Sequence, residues 1–496
     1  MLIYVFATVS GYINELAELV RAFFPGVTVK IANKDFKEFS INDLIFKCYH
    51  TRKEDNTIEA TVEFFTGTEL KGKFHKLCKL DQSLSEFEQR RIIKNCIKLL
   101  LYDVLEDLTG RSLEWGSLTG IRPTKIVHGL MDEGFEEEKI LNILYDDYRV
   151  SSEKASLLID IAKVQRPFFE ENHPKKISVY INIPICTTKC LFCSFPSATI
   201  ERCSHLIDDY IMALEKEIKI MAQVAKEKGI EVETVYIGGG TPTSLNIFQL
   251  EKVLSAIQKY WGFQNWKEYT VEGGRPDTMD KEKLRLLKDH NVTRISINPQ
   301  TMNNKTLEAI GRNHRAEEIV HCFNMAREIG FDSINMDVIV GLPGEGIKEA
   351  HHTMGVIKEL CPDNFTVHTL AVKRASKLKD NLDDYKFAPT DIAVHMMDIF
   401  YQGAISMGMR PYYLYRQKYM LGNMENIGFA IPSKESIYNM QIMEDQQTIW
   451  AFGAAAISKF CYPSEGRIER APNVKNIDEY INRVDEMIER KLKLTF

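Results

Sequence analysis

The spacing of apolar and polar positions changes once along the chain, near residue 175. Before that point, short alternating segments predict strands over 2–9, 43–50, 58–65 and 71–76. The first runs into an amphipathic helix. It lacks a basic leader, and Glu15 and Glu18 follow at helical spacing, so it reads as folded structure rather than a cleaved signal. A helix is predicted over 85–108, with Ile92, Ile93, Cys96, Leu99 and Leu100 on one face. The stretch from Trp115 is turn-rich, then helical to about residue 171. Residues 1–172 are therefore expected to form an α+β domain, with no catalytic constellation and no assignable role. His173-Pro-Lys-Lys reads as a short polar linker.

From Ile177 onward, strand-like runs alternate with helix-like ones. The strands are predicted at 177–184, 233–240, 268–273, 294–300, 334–343 and 364–371. The helices are predicted at 206–228, 246–261, 279–289, 303–330 and 346–360. Repeated strand–helix units imply an α/β fold with a parallel sheet. Six units fall short of the eight of a closed barrel, so 177–375 should form an open or partial barrel. Functional groups in such sheets gather beyond the carboxyl ends of the strands. Residues 376–496 read as a mixed extension covering the substrate, with a helix near 389–407, an aromatic segment at 411–420 and a closing helix at 477–492.

The 496 residues are 44% hydrophobic and 27% charged, an ordinary globular composition. Lys and Arg number 63 against 69 Asp and Glu, for a net charge of −6, which argues against a nucleic-acid partner. No run approaches the roughly 18 apolar residues of a membrane span, and the expected location is cytoplasmic. Of ten cysteines, seven are scattered singly and read as reduced thiols.

The other three, Cys186, Cys190 and Cys193, are spaced C-x3-C-x2-C on a loop leaving the first strand of the barrel region. Thiolates so grouped favour zinc, Cu(I) or an iron–sulfur cluster. A structural zinc needs a fourth ligand, which Cys203 or His205 could supply. A four-iron cluster held by three cysteines would keep one iron open for chemistry. The spacing favours the cluster over zinc.

The motifs that follow are more specific. YINIPIC, GGGTPT, VEGGRPDT, SINPQT, IGRNH and MDVIVGLP occur in order from residue 180 to 343. With the cysteines, they resemble the oxygen-independent coproporphyrinogen III oxidase (dehydrogenase) family of the radical S-adenosylmethionine (SAM) superfamily. TVHTLAVKRAS, PYYLYRQK and GNMENIGFA look closest to its HemZ-type subgroup. The resemblance implies a partial (β/α)6 radical SAM barrel and a [4Fe-4S] cluster on Cys186, Cys190 and Cys193. It implies SAM contacts at Tyr180, Phe192, Gly239, Gly240, Thr241, Glu272, Gln300, Arg312, Asp337, Leu370 and Ile457. It also implies a tetrapyrrole substrate, a reducing donor of flavodoxin or ferredoxin type, and a monomer. The implied reaction turns propionates of coproporphyrinogen III into vinyls, giving protoporphyrinogen IX. A haem chaperone on the same scaffold is the alternative, as is another radical SAM reaction on a porphyrin or haem. Two positions depart from relatives: Phe195 stands where some carry a further cysteine, and Asn182 where many carry histidine. The histidine-asparagine haem-binding pair of the chaperones aligns with Tyr438-Asn439. For a substrate rich in carboxylates, Lys373, Arg374, Arg416 and Lys418 are the candidate cationic contacts.

Overall fold

The computed structural model describes all residues except 9–10, 33–38, 55, 82, 121, 263–265, 374–375, 381–384, 418–419, 463–464 and 496. The chain forms two compact units, Met1–Ala162 and Lys163–Phe496. Among the described residues, no helix is long and apolar enough to cross a membrane.

The first unit is built on a sheet of β1 (Ile3–Ala7), β2 (Val29–Ile31), β3 (Leu44–Arg52), β4 (Thr57–Thr66) and β5 (Glu69–Lys79), in the order β2-β1-β3-β4-β5. β1 runs parallel to β2 and β3, and β3, β4 and β5 are antiparallel. The helix Ile13–Phe23 buries Leu16, Leu19, Val20 and Phe23, a one-face spacing that lays it on the sheet. The helix Glu86–Thr109 opens with a Ser85–Glu88 capping box and adds Ile97, Leu101 and Leu105 to the same core. One expectation fails in this unit. Cys78 and Cys96 are not lone thiols but a disulfide, because β5 and this helix bring their Cα atoms to 6.5 Å.

The second unit holds β6 (Lys176–Ile183), a small pair β7 (Ile185–Cys186) and β8 (Ala198–Thr199), then β9 (Glu231–Gly239), β10 (Glu268–Glu272), β11 (Arg294–Ser296), β12 (Ile334–Val340) and β13 (Asn364–Thr369). β6 and β9–β13 lie side by side in chain order, all parallel. The helices between them include Ile207–Lys228, Ile247–Trp261, Lys281–Asp289 and Ile347–Leu360. Ile177, Val179, Ile181 and Ile183 alternate along β6 and are all buried, an apolar face turned into the core, while Ser178, Tyr180 and Asn182 take the other face. The sheet is open: β6 and β13 do not pair with each other. Each edge is instead lengthened by the C-terminal segment. β14 (Arg410–Tyr415) and β15 (Asn426–Ala430) add antiparallel strands beyond β13. β16 (Thr448–Phe452) runs parallel to β6, followed by β17 (Ile457–Tyr462) and β18 (Arg467–Pro472).

Two elements differ from expectation. The helix expected over 303–330 is two helices, Asn304–Ala309 and Ala316–Ile329. Gly311, at φ +75°, breaks the first, and Arg312 and His314 are buried in the turn between them. β11 stops at Ser296 rather than 300, because Gln300 takes a left-handed φ of +66° and bridges to Val338 of β12.

Candidate cofactor and substrate site

The carboxyl ends of the parallel strands open into a cavity of about 380 Å3. β6 ends at Ile183, and the chain turns through the loop carrying the three cysteines before returning in β8. Neighbouring elements pin this loop. Leu191 N–H donates to Ile310 O at 3.0 Å, Ala198 N–H to Pro184 O at 2.9 Å, and Thr188 Oγ1 to Gly311 O at 3.2 Å. Cys186, Cys190 and Cys193 all line the cavity and none is in a disulfide. Among the described residues, no three His, Cys, Asp or Glu side chains are drawn into a finished metal site. The three thiols line the same cavity instead. Burial pushes the Cys186 and Cys193 thiols up, so binding a metal must expel their protons. Thr241 Oγ1, 3.8 Å from Cys186 Sγ, works the other way on the first.

The fourth ligand a structural zinc would need is not at hand. Cys203 is buried and donates to Thr199 O at 3.3 Å, His205 is exposed, and neither lines the cavity. Three sulfur donors facing a cavity fit a cluster with one open iron better than a closed zinc site. Two orphaned polar atoms in the cavity lining, Asn298 Oδ1 and Arg312 Nε, fit a polar ligand beside it.

The glycine run at the end of β9 serves close packing as well as access. A Cβ on Gly239, at φ +106°, would strike Asn182 Oδ1, and one on Gly240 would strike Ile185 O. A Cβ on Gly238 would crowd both the Glu272 carboxyl and the Tyr236 ring. Tyr236 uses that room to donate to Glu272 Oε1 at 2.5 Å. Burial, aided by the charge of Asp337, pushes Glu272 up to about 7, although the Tyr236 hydrogen bond opposes it. Asp337 of β12 behaves differently. Burial acts to raise it, but His368, Asn335 and Thr366 together outweigh burial and hold it below the usual carboxylate range. Asn335 Nδ2 donates to Asp337 Oδ1 at 2.8 Å, and His368 Nε2 lies 3.6 Å from Oδ2. The other imidazole nitrogen is 3.3 Å from the Tyr415 hydroxyl. Arg312 Nη1 donates to Asn298 O at 2.5 Å.

Of the residues singled out in the sequence, Phe192, Gly239, Gly240, Thr241, Glu272, Gln300, Arg312, Asp337, Leu370 and Lys373 join the three cysteines around the cavity. Tyr180 is one ring removed, stacked on Tyr236 and Tyr438 at 6.1 and 6.0 Å. Ile457 lies 53% exposed in β17, away from the cavity lining. Arg416 is buried and also outside the lining, its Nη2 donating to Asn423 O and Oδ1 at 2.9 and 2.6 Å. Arg374 and Lys418 lie outside the described residues. Sequence reasoning missed Tyr236, Arg275, Asn298, Asn335, His368, Tyr413 and Tyr415, all in the cavity lining. For His368 the signal was weak: it is one of three alternating polar positions, Asn364, Thr366 and His368, in β13.

Residues 180–357 match the radical SAM superfamily profile. The chain is 39% identical over 430 residues to the oxygen-independent coproporphyrinogen-III oxidase-like protein HemZ of Bacillus subtilis, covering 86% of this chain and 85% of that protein. It is 31% identical over 314 residues to the haem chaperone HemW of the same organism, covering 62% of this chain and 76% of the relative. The solved radical SAM coproporphyrinogen III oxidase HemN of Escherichia coli superposes with a TM-score of 0.53 at 24% identity, over 66% of this chain and 73% of that one, a likeness of fold. The chain belongs to the radical SAM superfamily, in the family of the oxygen-independent coproporphyrinogen-III oxidase-like protein HemZ.

Proposed function

We propose that this protein is a radical SAM oxidoreductase that oxidatively decarboxylates two propionates of coproporphyrinogen III without oxygen, giving protoporphyrinogen IX. The observation that carries the reading is the shared cavity, with three free thiols and Glu272, Asp337, Arg312 and Lys373 together in its lining. Cys186, Cys190 and Cys193 would hold a [4Fe-4S] cluster, and Gly239, Gly240, Thr241, Glu272 and Asp337 would receive SAM beside it. That pair of cofactors supplies one-electron cleavage of a sulfonium and hence a radical able to remove a hydrogen atom. Each propionate would then give a hydrogen atom to that radical, carbon dioxide to solvent and one electron to a one-electron acceptor to become a vinyl group, while a flavodoxin- or ferredoxin-type donor would supply the electron that cleaves each SAM.

The chain's own groups have separable tasks. Glu272, poised near neutrality, accepts hydrogen bonds from an ammonium or hydroxyl once ionised. Asp337, held ionised, offers a second acceptor. Lys373, beside Cys193, offers a cation to a substrate carboxylate.

A second reading, a haem carrier, is favoured by the likeness to the haem chaperone. Against it, Tyr438 is buried in a ring stack with Tyr236 at 4.4 Å, and burial pushes its phenol well above 10, so it stays a neutral phenol. Both nitrogens of His368 face partners rather than open space. The test is anaerobic incubation with SAM, reductant and coproporphyrinogen III, followed by mass analysis. A divinyl product is expected. Deoxyadenosine without porphyrin change would reassign the substrate, and stoichiometric haem binding without SAM consumption would favour the carrier.

A further inference from the structure

The segment between the first two thiols has no regular structure, and Thr187 and Thr188 make up most of it. Both hydroxyls are gripped from the turn that follows β10. Arg275 Nη1 donates to Thr188 Oγ1 at 2.6 Å. Its Nε and Nη2 form a two-pronged pair with Asp277 Oδ1 and Oδ2 at 2.9 and 3.0 Å. Thr187 Oγ1 completes the ring by donating to Asp277 Oδ2 at 3.4 Å. His314 Nδ1 stands 3.7 Å from Asp277 Oδ1, and Thr188 Oγ1 also reaches Gly311 O, so the turn at 310–315 backs the same assembly. Arg275 is buried and lines the cavity near Cys186. A buried guanidinium is costly unless paired, and a planar fork fixed by a bidentate carboxylate aims its remaining nitrogen in one direction. Here that direction is the cysteine loop.

We infer that the Arg275–Asp277 pair is a positioning clamp for the cluster loop. It fixes the Thr187–Thr188 dipeptide, and with it the placement of Cys186 relative to Cys190, and it holds a cation beside the cluster position. The inference rests on reading this loop as cluster-binding. It goes further by naming two residues that bind neither metal nor SAM, yet decide how firmly the cluster is kept and how readily it is reduced. A nearby cation favours the more negative, reduced cluster, and outer residues that orient metal ligands commonly change affinity 10–100-fold when removed.

The experiment compares the full chain with Arg275→Ala, Arg275→Lys, Asp277→Asn and the double variant Arg275→Ala/Asp277→Asn, all reconstituted anaerobically. The readouts are iron and sulfide per chain, the rate of iron transfer to a chelator, and the cluster midpoint potential followed by electron paramagnetic resonance. Arg275→Ala and Asp277→Asn should each release iron about 10–100-fold faster, and the double variant no faster than either. Arg275→Ala should also lower the potential, whereas Arg275→Lys, which keeps the charge but not the fork, should leave the potential near wild type while releasing iron faster. If Arg275→Ala does not fold, Thr188→Val removes only the gripped hydroxyl and should still release iron several-fold faster. Wild-type release and potential in a folded Arg275→Ala or Thr188→Val chain overturn the clamp alone. A wild-type chain that takes up no iron overturns the clamp and the cluster reading together.

Discussion

The Tyr236 hydroxyl and the Glu272 carboxylate meet at 2.5 Å in a space that exists because residue 238 has no side chain. Glu272 is raised to about 7, first by burial and then by the charge of Asp337. Its folded value exceeds its unfolded one, so its contribution to folding stability is complete below the unfolded value and disappears as pH rises through about 7. On the proposed reading, in which Glu272 receives SAM, ligand binding runs the opposite way, because the carboxylate accepts from a cation more strongly than the neutral acid does. SAM affinity should therefore improve as pH rises through about 7. Glu272→Gln should weaken binding and flatten that dependence. Tyr236→Phe, which removes a bond that favours the carboxylate, should move its midpoint to higher pH. Anaerobic calorimetry across pH 6–8 tests all three; a flat wild-type profile would count against them.

Gly239 couples the cavity wall to Asn182. Asn182 Oδ1 accepts from Tyr180 at 3.0 Å, and its Nδ2 donates to Ala454 O at 2.5 Å, so the amide has little freedom to retreat. Gly239→Ala would put a methyl into that amide and an alanine at φ +106°. The backbone alone should cost roughly 1–2 kcal/mol, with the displaced amide adding to it. A lower urea midpoint, accompanied by loss of SAM binding, is the expected result.

The fold was legible wherever burial made the pattern redundant. β6, β12 and β13 each carry a buried apolar row on alternate residues, Ile177, Val179, Ile181 and Ile183 in the first, Ile334, Met336, Val338 and Val340 in the second, Phe365 and Val367 in the third, and the helices between them carry a one-sided stripe. The break at 310–315 was not legible, since Arg312 and His314 look like solvent-facing helix residues until the turn buries them. The cysteines could be read from spacing alone, and Asp337 from its apolar surroundings. Tyr236 and Arg416 could not be placed that way. Strand alternation does not say which face meets a cavity, and a basic residue beside aromatics looks the same whether it faces a ligand or ties down its own loop. The Cys78–Cys96 pair escaped because partnering depends on how β5 meets the following helix.

Asp337 owes its low value to His368, Asn335 and Thr366 working against burial. A depressed carboxyl contributes stability above its unfolded value, and that contribution disappears as pH falls. His368→Leu removes the leading opposing group, so Asp337 should titrate higher. The variant should bind SAM about tenfold more weakly at pH 6, a deficit of about 1.4 kcal/mol, and recover part of it at pH 8. A uniform deficit at every pH would instead mark His368 as a packing residue.

In the first unit, the Cys78–Cys96 bridge closes a loop with a sequence separation of 18. Chain-entropy estimates for a loop of this size are about 3 kcal/mol. Adding reductant should lower the melting transition of Met1–Ala162, and Cys96→Ser should match the reduced wild type with or without reductant. Identical melting of oxidised and reduced wild type would refute the bridge as a stabilising element.

Lys373 and Arg416 separate a proposed substrate contact from a structural tie. Lys373 lines the cavity beside Cys193, where burial lowers its pKa and so favours release of its proton unless an anion arrives. Lys373→Ala should raise the KM for coproporphyrinogen III about tenfold with little change in Tm, and Lys373→Arg should restore most of the loss. Arg416 is spent on Asn423, and burial lowers its pKa to about 10. Arg416→Ala leaves the Asn423 acceptors without that donor, at a cost of about 1–3 kcal/mol, so Tm should fall. In the fraction that remains folded, substrate KM should stay near wild type. The reverse pattern, with KM raised by Arg416→Ala and unmoved by Lys373→Ala, would mean that the loop holding Arg416 opens to present it to the substrate.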